Sequence, residues 1–360
     1  MDPARRRWML AAAALPVAAG AVPTPTVRRG RVLAFPRDHG AHPDARIEWW
    51  YATGWLGTPA APTHGFQVTF FRSRTGVTGT SASRFAARQL LFAHAAVTDL
   101  AARTHRHADR IARWTGEPAA ALARAGLDDT EVRLGDWTIA RDADRVRTRV
   151  AGDGFALDLT LARTQPVLLQ GDAGYSRKGP DEHQASHYYS EPQLAVQGRL
   201  ALSGREIDVR GSAWLDHEWS DEILHPQAVG WDWIGMNLFD GSALTAFQLR
   251  HRDGSALWAG GSWRGAGTAA QAFADDAVQF EAGQRWTSPS SQARYPLQWS
   301  VRTPAGRFTV RALLDAQELD SRTSTGTIYW EGLSELLDDG GRRVGLGYLE
   351  MTGYAAALRL

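Results

Sequence analysis

The chain is 360 residues long and 44% apolar, enough for about two domains with real cores. Forty Lys plus Arg against 39 Asp plus Glu leave a net charge of +1, so no overall field favours nucleic acid or an acidic membrane. The absence of cysteine excludes disulfides, zinc-thiolate sites, iron–sulfur clusters and a cysteine nucleophile. Lys178 is the only lysine and Asn237 the only asparagine, a bias towards arginine that fits a GC-rich genome. That bias does not account for 15 Trp against 12 Phe and 8 Tyr.

At the N-terminus, Arg5-Arg6-Arg7 precedes an apolar stretch from Trp8 to Ala19, and Ala19-Gly20-Ala21 offers a small-x-small cleavage site. These are the parts of an export signal, too short for a secure membrane span; the export machinery is Sec or twin-arginine, and the paired arginines before Trp8 point to the second. Residues 1–30 are therefore read as signal peptide and spacer, and the mature protein as periplasmic or secreted, without a transmembrane span but with membrane-lipid contact open to it.

From Ile47 onward, apolar and polar residues alternate in runs separated by glycine turns: 151–154, Ser203-Gly204, Asp240-Gly241, Asp253-Gly254, Ala305-Gly306 and 339–341. Such turns predict β-hairpins, with strands over 65–71, 155–161, 194–202, 207–214, 244–250, 308–314 and 344–354. Only 117–127 reads as helical. The segment 165–192 lacks periodicity and is expected to be a long loop over a site mouth. The fold class expected is all-β: two tandem antiparallel barrels or sandwiches, 31–222 and 223–360.

No G-x-S-x-G elbow occurs, since Gly260-Gly261-Ser262-Trp263 is followed by Arg264, and no Walker loop or dinucleotide fingerprint is present. His105 with His107, and His183 with His187, have ligand-like spacings but no visible third ligand, so neither a metal nor another cofactor is expected.

Four clusters set carboxylates among aromatics. In Glu48-Trp49-Trp50-Tyr51, strand alternation puts Glu48 and Trp50 on one face, Trp49 and Tyr51 on the other. In Trp214-Leu215-Asp216-His217-Glu218-Trp219, Asp216 and Glu218 share a face with Trp214, while His217 faces the other way unless a bulge brings all three to one rim. A histidine between two acids is how a general acid/base is tuned, although an ion pair at a domain junction would use the same residues. Trp231-Asp232-Trp233 puts two indoles on one face, and their N–H groups need partners, which suits a wet cavity edge. Finally, Tyr329-Trp330-Glu331 and Tyr348-Leu349-Glu350-Met351-Thr352-Gly353-Tyr354 form a stripe too polar for an ordinary core.

Together with Ser186-His187-Tyr188-Tyr189-Ser190, these clusters resemble, in order over about residues 45–356, the AttH and carotenoid 1,2-hydratase superfamily. The resemblance implies tandem lipocalin-like domains, a pocket near their contact and a hydrophobic small-molecule substrate. It also implies hydratase-like (carbon–oxygen lyase) or hydrolase-like chemistry. Hydration of an alkene needs a protonated acid in an apolar pocket and shielding of the resulting cation. Asp216 or Glu218 is the expected proton donor, with His217 holding water or relaying a proton. Trp50, Tyr51, Tyr188, Trp219, Trp231, Trp233, Glu331, Tyr348 and Glu350 are the expected substrate contacts. The stretch 245–250 has no carboxylate where the carotenoid enzymes carry an acid, which puts the chain nearer the AttH-like secreted branch. The rival readings are a non-catalytic periplasmic carrier and a glycan-acting sandwich; a carrier needs the cavity but not the acids.

Overall fold

The structure is a computed structural model and describes residues 26–76, 87–114 and 122–358. It is built from antiparallel strands with one short 3-10 turn, Arg37–His39, and among the described residues no helix is long and apolar enough to cross a membrane. Each of the glycine turns read from the sequence joins two consecutive hydrogen-bonded strands. Examples are 151–154 between Arg145–Gly152 and Phe155–Ala162, and Ser203-Gly204 between Ala185–Leu202 and Arg205–Ser220. The reason is local: Gly154, Gly204, Gly241, Gly254, Gly306 and Gly341 all adopt positive φ, which other residues enter at a cost.

Among the described residues, thirteen strands between Ile47 and Ser220 make the first sheet, and ten between Gly230 and Met351 make the second. The first curls until its ends meet. Thr104–Trp114 touches Arg145–Gly152, and Arg106 bonds the Gly154 carbonyl at 3.0 Å, closing a barrel round Trp50, Phe66, Phe70, Trp137, Leu159 and Leu161. The second sheet encloses its own core of Ile234, Met236, Tyr295, Trp299 and Trp330. A third apolar cluster lies between the two, with Tyr51, Trp55 and Trp214 from one sheet and Trp233, Phe247, Leu333 and Tyr348 from the other. Close approach there depends on Gly65, where a Cβ would sit 2.7 Å from the Tyr348 hydroxyl and 2.9 Å from Leu333 Cβ.

A bulge fastens the sheets. The register of Ala185–Leu202 shifts between Glu191 and Leu194, with Gln193 at φ 58°. Thus displaced, Gln193 donates through its side chain to the Leu238 and Ser242 carbonyls, and through its backbone to Asn237. Asn237, the chain's only asparagine, donates to Ala213 O at 2.9 Å and Ser212 Oγ at 3.1 Å. It is a rivet between the sheets.

Three expectations need correction. Ala123–Ala125 is a strand, not helix, because Ala123 and Ala125 bury into the barrel while pairing with Glu131–Leu134; the pairing overrides alanine's helix propensity. The rest of that stretch, 115–121, lies outside the described residues, as does the apolar run and cleavage motif of the N-terminus. The aperiodic segment 165–192 is no free loop: Leu168–Leu169 and Tyr175–Arg177 pair with Ala185–Leu202, which itself begins inside it. Last, residues 26–30 belong to the fold. Val27 is buried and the Thr26 amide and hydroxyl both donate to Asp221, at 2.7 and 2.8 Å.

Candidate functional site

Between the sheets lies a cavity of about 480 Å³, within the size range of small-molecule sites. Its first wall follows from register. Asp216 is paired with Tyr51 on one side and Ser190 on the other, and Glu218 with Trp49 and Tyr188. Directly opposed antiparallel residues share a face, so this pairing collects Trp49, Tyr51, Tyr188, Ser190, Asp216 and Glu218 on one surface. The second wall comes from Trp231, Trp233, Phe247, Leu249, Glu331 and Glu350. There Glu350 lies opposite Trp233 on one neighbour and opposite Glu331 on the other. That last pairing depends on the register shift at Leu336/Leu337; without it Glu331 would face Leu349 and the two carboxyls would fall on opposite faces.

Asp216 is 3% exposed and fully hydrogen-bonded. Oδ1 accepts from Trp214 Nε1 at 2.7 Å and Ser190 Oγ at 2.5 Å, and Oδ2 from the Tyr188 hydroxyl at 2.8 Å, which in turn accepts from Trp233 Nε1 at 3.2 Å. Burial pushes the carboxyl up to about 7 against these bonds, with Glu218 adding to the push. Glu218 pairs with the Lys178 ammonium at 2.9 Å and accepts from Ser186. Lys178 also stands 4.2 Å from the Phe247 ring centre and 4.7 Å from that of Tyr188. Burial raises Glu350 to about 8, against a hydrogen bond from Trp231 and with the charges of Asp216 and Glu218 adding to the push, and burial with the Glu350 charge holds Glu331 well above the usual carboxylate range against a hydrogen bond from Tyr51. Burial likewise keeps His94 neutral, down to about 4, where its Nδ1 meets the Tyr329 hydroxyl at 2.8 Å.

The structure divides the expected site residues. Asp216, Glu218, Tyr51, Trp231, Trp233, Glu331 and Glu350 line the cavity. Tyr188 and Tyr348 stand one layer behind, the first holding Asp216 and the second packed on Gly65. His217, Trp50 and Trp219 do not reach it. The strand runs from Trp214 to Ser220 without a bulge, so the period of two holds and these three side chains fall on the opposite face. The shared rim of Asp216, His217 and Glu218 therefore does not form.

On that opposite face His217 belongs to a closed network around Glu48. Glu48 Oε1 receives His42 Nδ1 at 2.7 Å and His217 Nε2 at 2.9 Å; Oε2 receives Arg72 Nε at 2.7 Å. His42 stacks on Trp219 with ring centres 3.6 Å apart, and His217 stacks on Trp50 at 4.8 Å. Burial pushes Glu48 up, but Arg72, His42 and His217 outweigh it and hold the carboxyl well below its usual range. His42, Glu48 and His217 are the one group among the described residues with metal-like geometry. They do not fit a catalytic ion, since the Arg72 guanidinium occupies the second carboxylate oxygen and no ligand position opens to the cavity.

Sequence reasoning passed over Lys178, Trp49, Ser190 and Phe247. A signal existed for Lys178: in a chain that otherwise uses arginine throughout, a single retained lysine marks a place where a compact ammonium is needed.

A profile of the AttH-like family matches residues 26–354. Among solved structures, the chain is similar to a candidate AttH from Nitrosomonas europaea, with 48% identity, a TM-score of 0.83, and coverage of 91% of this chain and 99% of that one. It is also similar to kievitone hydratase from Nectria haematococca, with 15% identity, a TM-score of 0.68, and coverage of 90% and 94%. CghA shares 13% identity at a TM-score of 0.56, over 91% of this chain and 95% of that one; these last two likenesses concern the fold alone. No protein of curated function matches in sequence.

Proposed function

The chain belongs to the AttH-like family, and we propose that it adds water to, or in reverse removes water from, an unsaturated lipophilic small molecule, with Asp216 as the proton donor. The observation that carries this reading is the Asp216 carboxyl, buried at an aromatic wall and raised to about 7, hence able to hold a proton near neutrality and give it up. In the forward direction the alkene π pair takes the proton from Asp216 and leaves a carbocation. A water oxygen then forms the C–O bond, and its surplus proton returns to the carboxylate. Trp49, Trp231, Trp233 and Phe247 present the π faces that favour such a cation, by about 2 kcal/mol or more where desolvated. The fold likeness to a protein named as a hydratase supports the reaction class and leaves the substrate open.

The test is incubation with prenylated phenols and linear polyenes in labelled water, with mass spectrometry for the water adduct. Asp216→Asn should lower turnover by about 10²- to 10⁴-fold. Turnover that survives in this variant removes the assignment; saturable binding with no turnover in the wild type favours the carrier reading. We also propose export, on the strength of Arg5 to Ala21; the N-terminal sequence of protein recovered from the periplasm tests it.

A further inference from the structure

A second group of reactive side chains borders the cavity, apart from the acids. His94, on the first-sheet strand Gln89–Asp99, meets Ser324 and Tyr329 of the second sheet: its Nε2 lies 3.0 Å from Ser324 Oγ and its Nδ1 2.8 Å from the Tyr329 hydroxyl. All three residues line the cavity, His94 and Tyr329 buried and Ser324 half-buried, so Ser324 is within reach of a ligand. Ser324 sits in the turn between Glu318–Ser321 and Thr327–Leu337, where the Ser321 carbonyl accepts from the Ser324 and Thr325 amides at 3.1 and 2.8 Å. That turn is pinned to the first sheet on either side of His94's contact, the Thr323 hydroxyl donating to Asp109 at 2.7 Å and the Asp320 amide to His107 at 3.3 Å. These bonds already fasten the turn, so a further latch at Ser324 is not needed to hold it. Ser324 Oγ has one other acceptor, the Ser321 carbonyl, at the longer distance of 3.2 Å.

We propose that Ser324 is a nucleophile with His94 as its general base, in a site that hydrolyses carboxylic esters carrying a lipophilic acyl chain and a good leaving group. The inference goes beyond water addition by Asp216 and needs no alkene. With its proton on Nδ1 and donated to the Tyr329 oxygen, His94 keeps the Nε2 lone pair for the Ser324 O–H. The serine oxygen bonds to the ester carbonyl carbon as Nε2 takes its proton; the bond to the leaving oxygen then breaks, and the alcohol departs with that proton. Water adds to the acyl-enzyme, giving one proton to Nε2, and the bond to Ser324 breaks as the proton returns to Oγ, releasing the carboxylic acid. Burial holds His94 neutral, as a base must be, while the Asp109 carboxylate, paired opposite it in register, favours the imidazolium formed in the step against burial and His107. Tyr329 is a phenol where a stronger base would have a carboxylate behind it, which limits the site to good leaving groups such as phenols. Phe71 and Phe92, with ring centres 5.2 and 6.3 Å from that of His94, and Ile111 opposite Phe92 also line the cavity and offer the acyl chain an apolar seat.

The test incubates the full chain with p-nitrophenyl octanoate and, separately, with an alkyl fluorophosphonate followed by peptide mass mapping. Saturable release of p-nitrophenol and one phosphonyl group on Ser324 are expected. Ser324→Ala should take no label and lose at least about 10³-fold in hydrolysis, and His94→Gln should lose about 10²- to 10⁴-fold. Ser324 is half-buried in a turn held by other bonds, so Ser324→Ala should keep the thermal midpoint of the wild type. The mapping is done on the wild type and does not depend on any variant folding. Label on another residue or on none, or hydrolysis that persists in Ser324→Ala, would overturn the site. Water addition to an alkene by a chain that takes no label at Ser324 would remove this site alone, whereas label at Ser324 in a chain that adds water to none of the phenols and polyenes above would remove the hydration and leave this site standing.

Discussion

Holding an acid uncharged in a cavity has a cost that appears in stability, and Asp216→Asn measures it. In the unfolded chain this carboxyl titrates near 3.8; in the folded protein burial raises it to about 7. A raised acid lends stability that is fully present below the unfolded value and is lost as pH rises through the folded one. The loss accumulates between these two values: about 2 kcal/mol by pH 5 and about 4 kcal/mol by pH 8. Asparagine carries no such charge, and its carbonyl oxygen still accepts from Ser190 and Trp214. Glu331 and Glu350 also titrate in both proteins, and because the Asp216 charge adds to the push on Glu350, the difference between the two curves reports Asp216 together with its coupling to Glu350. Urea unfolding of wild type and Asp216→Asn at pH 4, 5, 6, 7 and 8 should show the variant gaining on the wild type as pH rises, then levelling above about pH 7. Turnover should meanwhile be lost in the variant, the opposition expected where a functional group is held against the preference of the fold. Parallel stability curves over this range would mean that Asp216 is ionised throughout, and the proton-donor argument would fail with it.

Lys178→Met should destabilise by about 3–5 kcal/mol, because Glu218 is left buried without its ammonium; Lys178→Met with Glu218→Gln should recover most of that, as read by urea midpoints. His217→Ala should cost about 2–5 kcal/mol through the lost stacking on Trp50 and the lost contact with Glu48, while leaving farnesol affinity within two-fold of wild type. A selective loss of ligand binding in that variant, with stability intact, would put His217 back in the site. Gly65→Ala should destabilise by about 1–3 kcal/mol, and Tyr348→Phe in the same chain should relieve part of the clash, measured by thermal midpoint.

How far the site could be read from sequence depended on the range of the physics behind each residue. The hairpins were legible because a turn is a local object: positive-φ glycines between alternating runs decide it within a few residues. The two faces of Trp214–Ser220 were legible for the same reason, since period two needs no partner. Which face borders a cavity was not, because Asp216 and His217 are equally buried, and only the strands beyond them distinguish a wall of Trp231 and Trp233 from the Glu48 network. The meeting of Glu331 with Glu350 rests on a one-residue register shift that sequence does not announce.

The tryptophan excess follows the same logic. Among the tryptophans of the described residues only Trp49, Trp231 and Trp233 line the cavity, while others such as Trp50, Trp137, Trp219 and Trp330 build cores or cover the closed histidine network. An indole whose N–H finds a partner packs as readily in a core as at a ligand, so the residue count carried no information about the site. What marks the ligand side is the state of the acids: Glu48 is ion-paired with Arg72 on the face turned away from the cavity, whereas Asp216 lines the cavity with its carboxyl raised by burial. An account from stability alone would have the cavity acid ionised and ion-paired, as Glu48 is, and a carboxyl held raised at the cavity wall is the arrangement that a transferable proton requires.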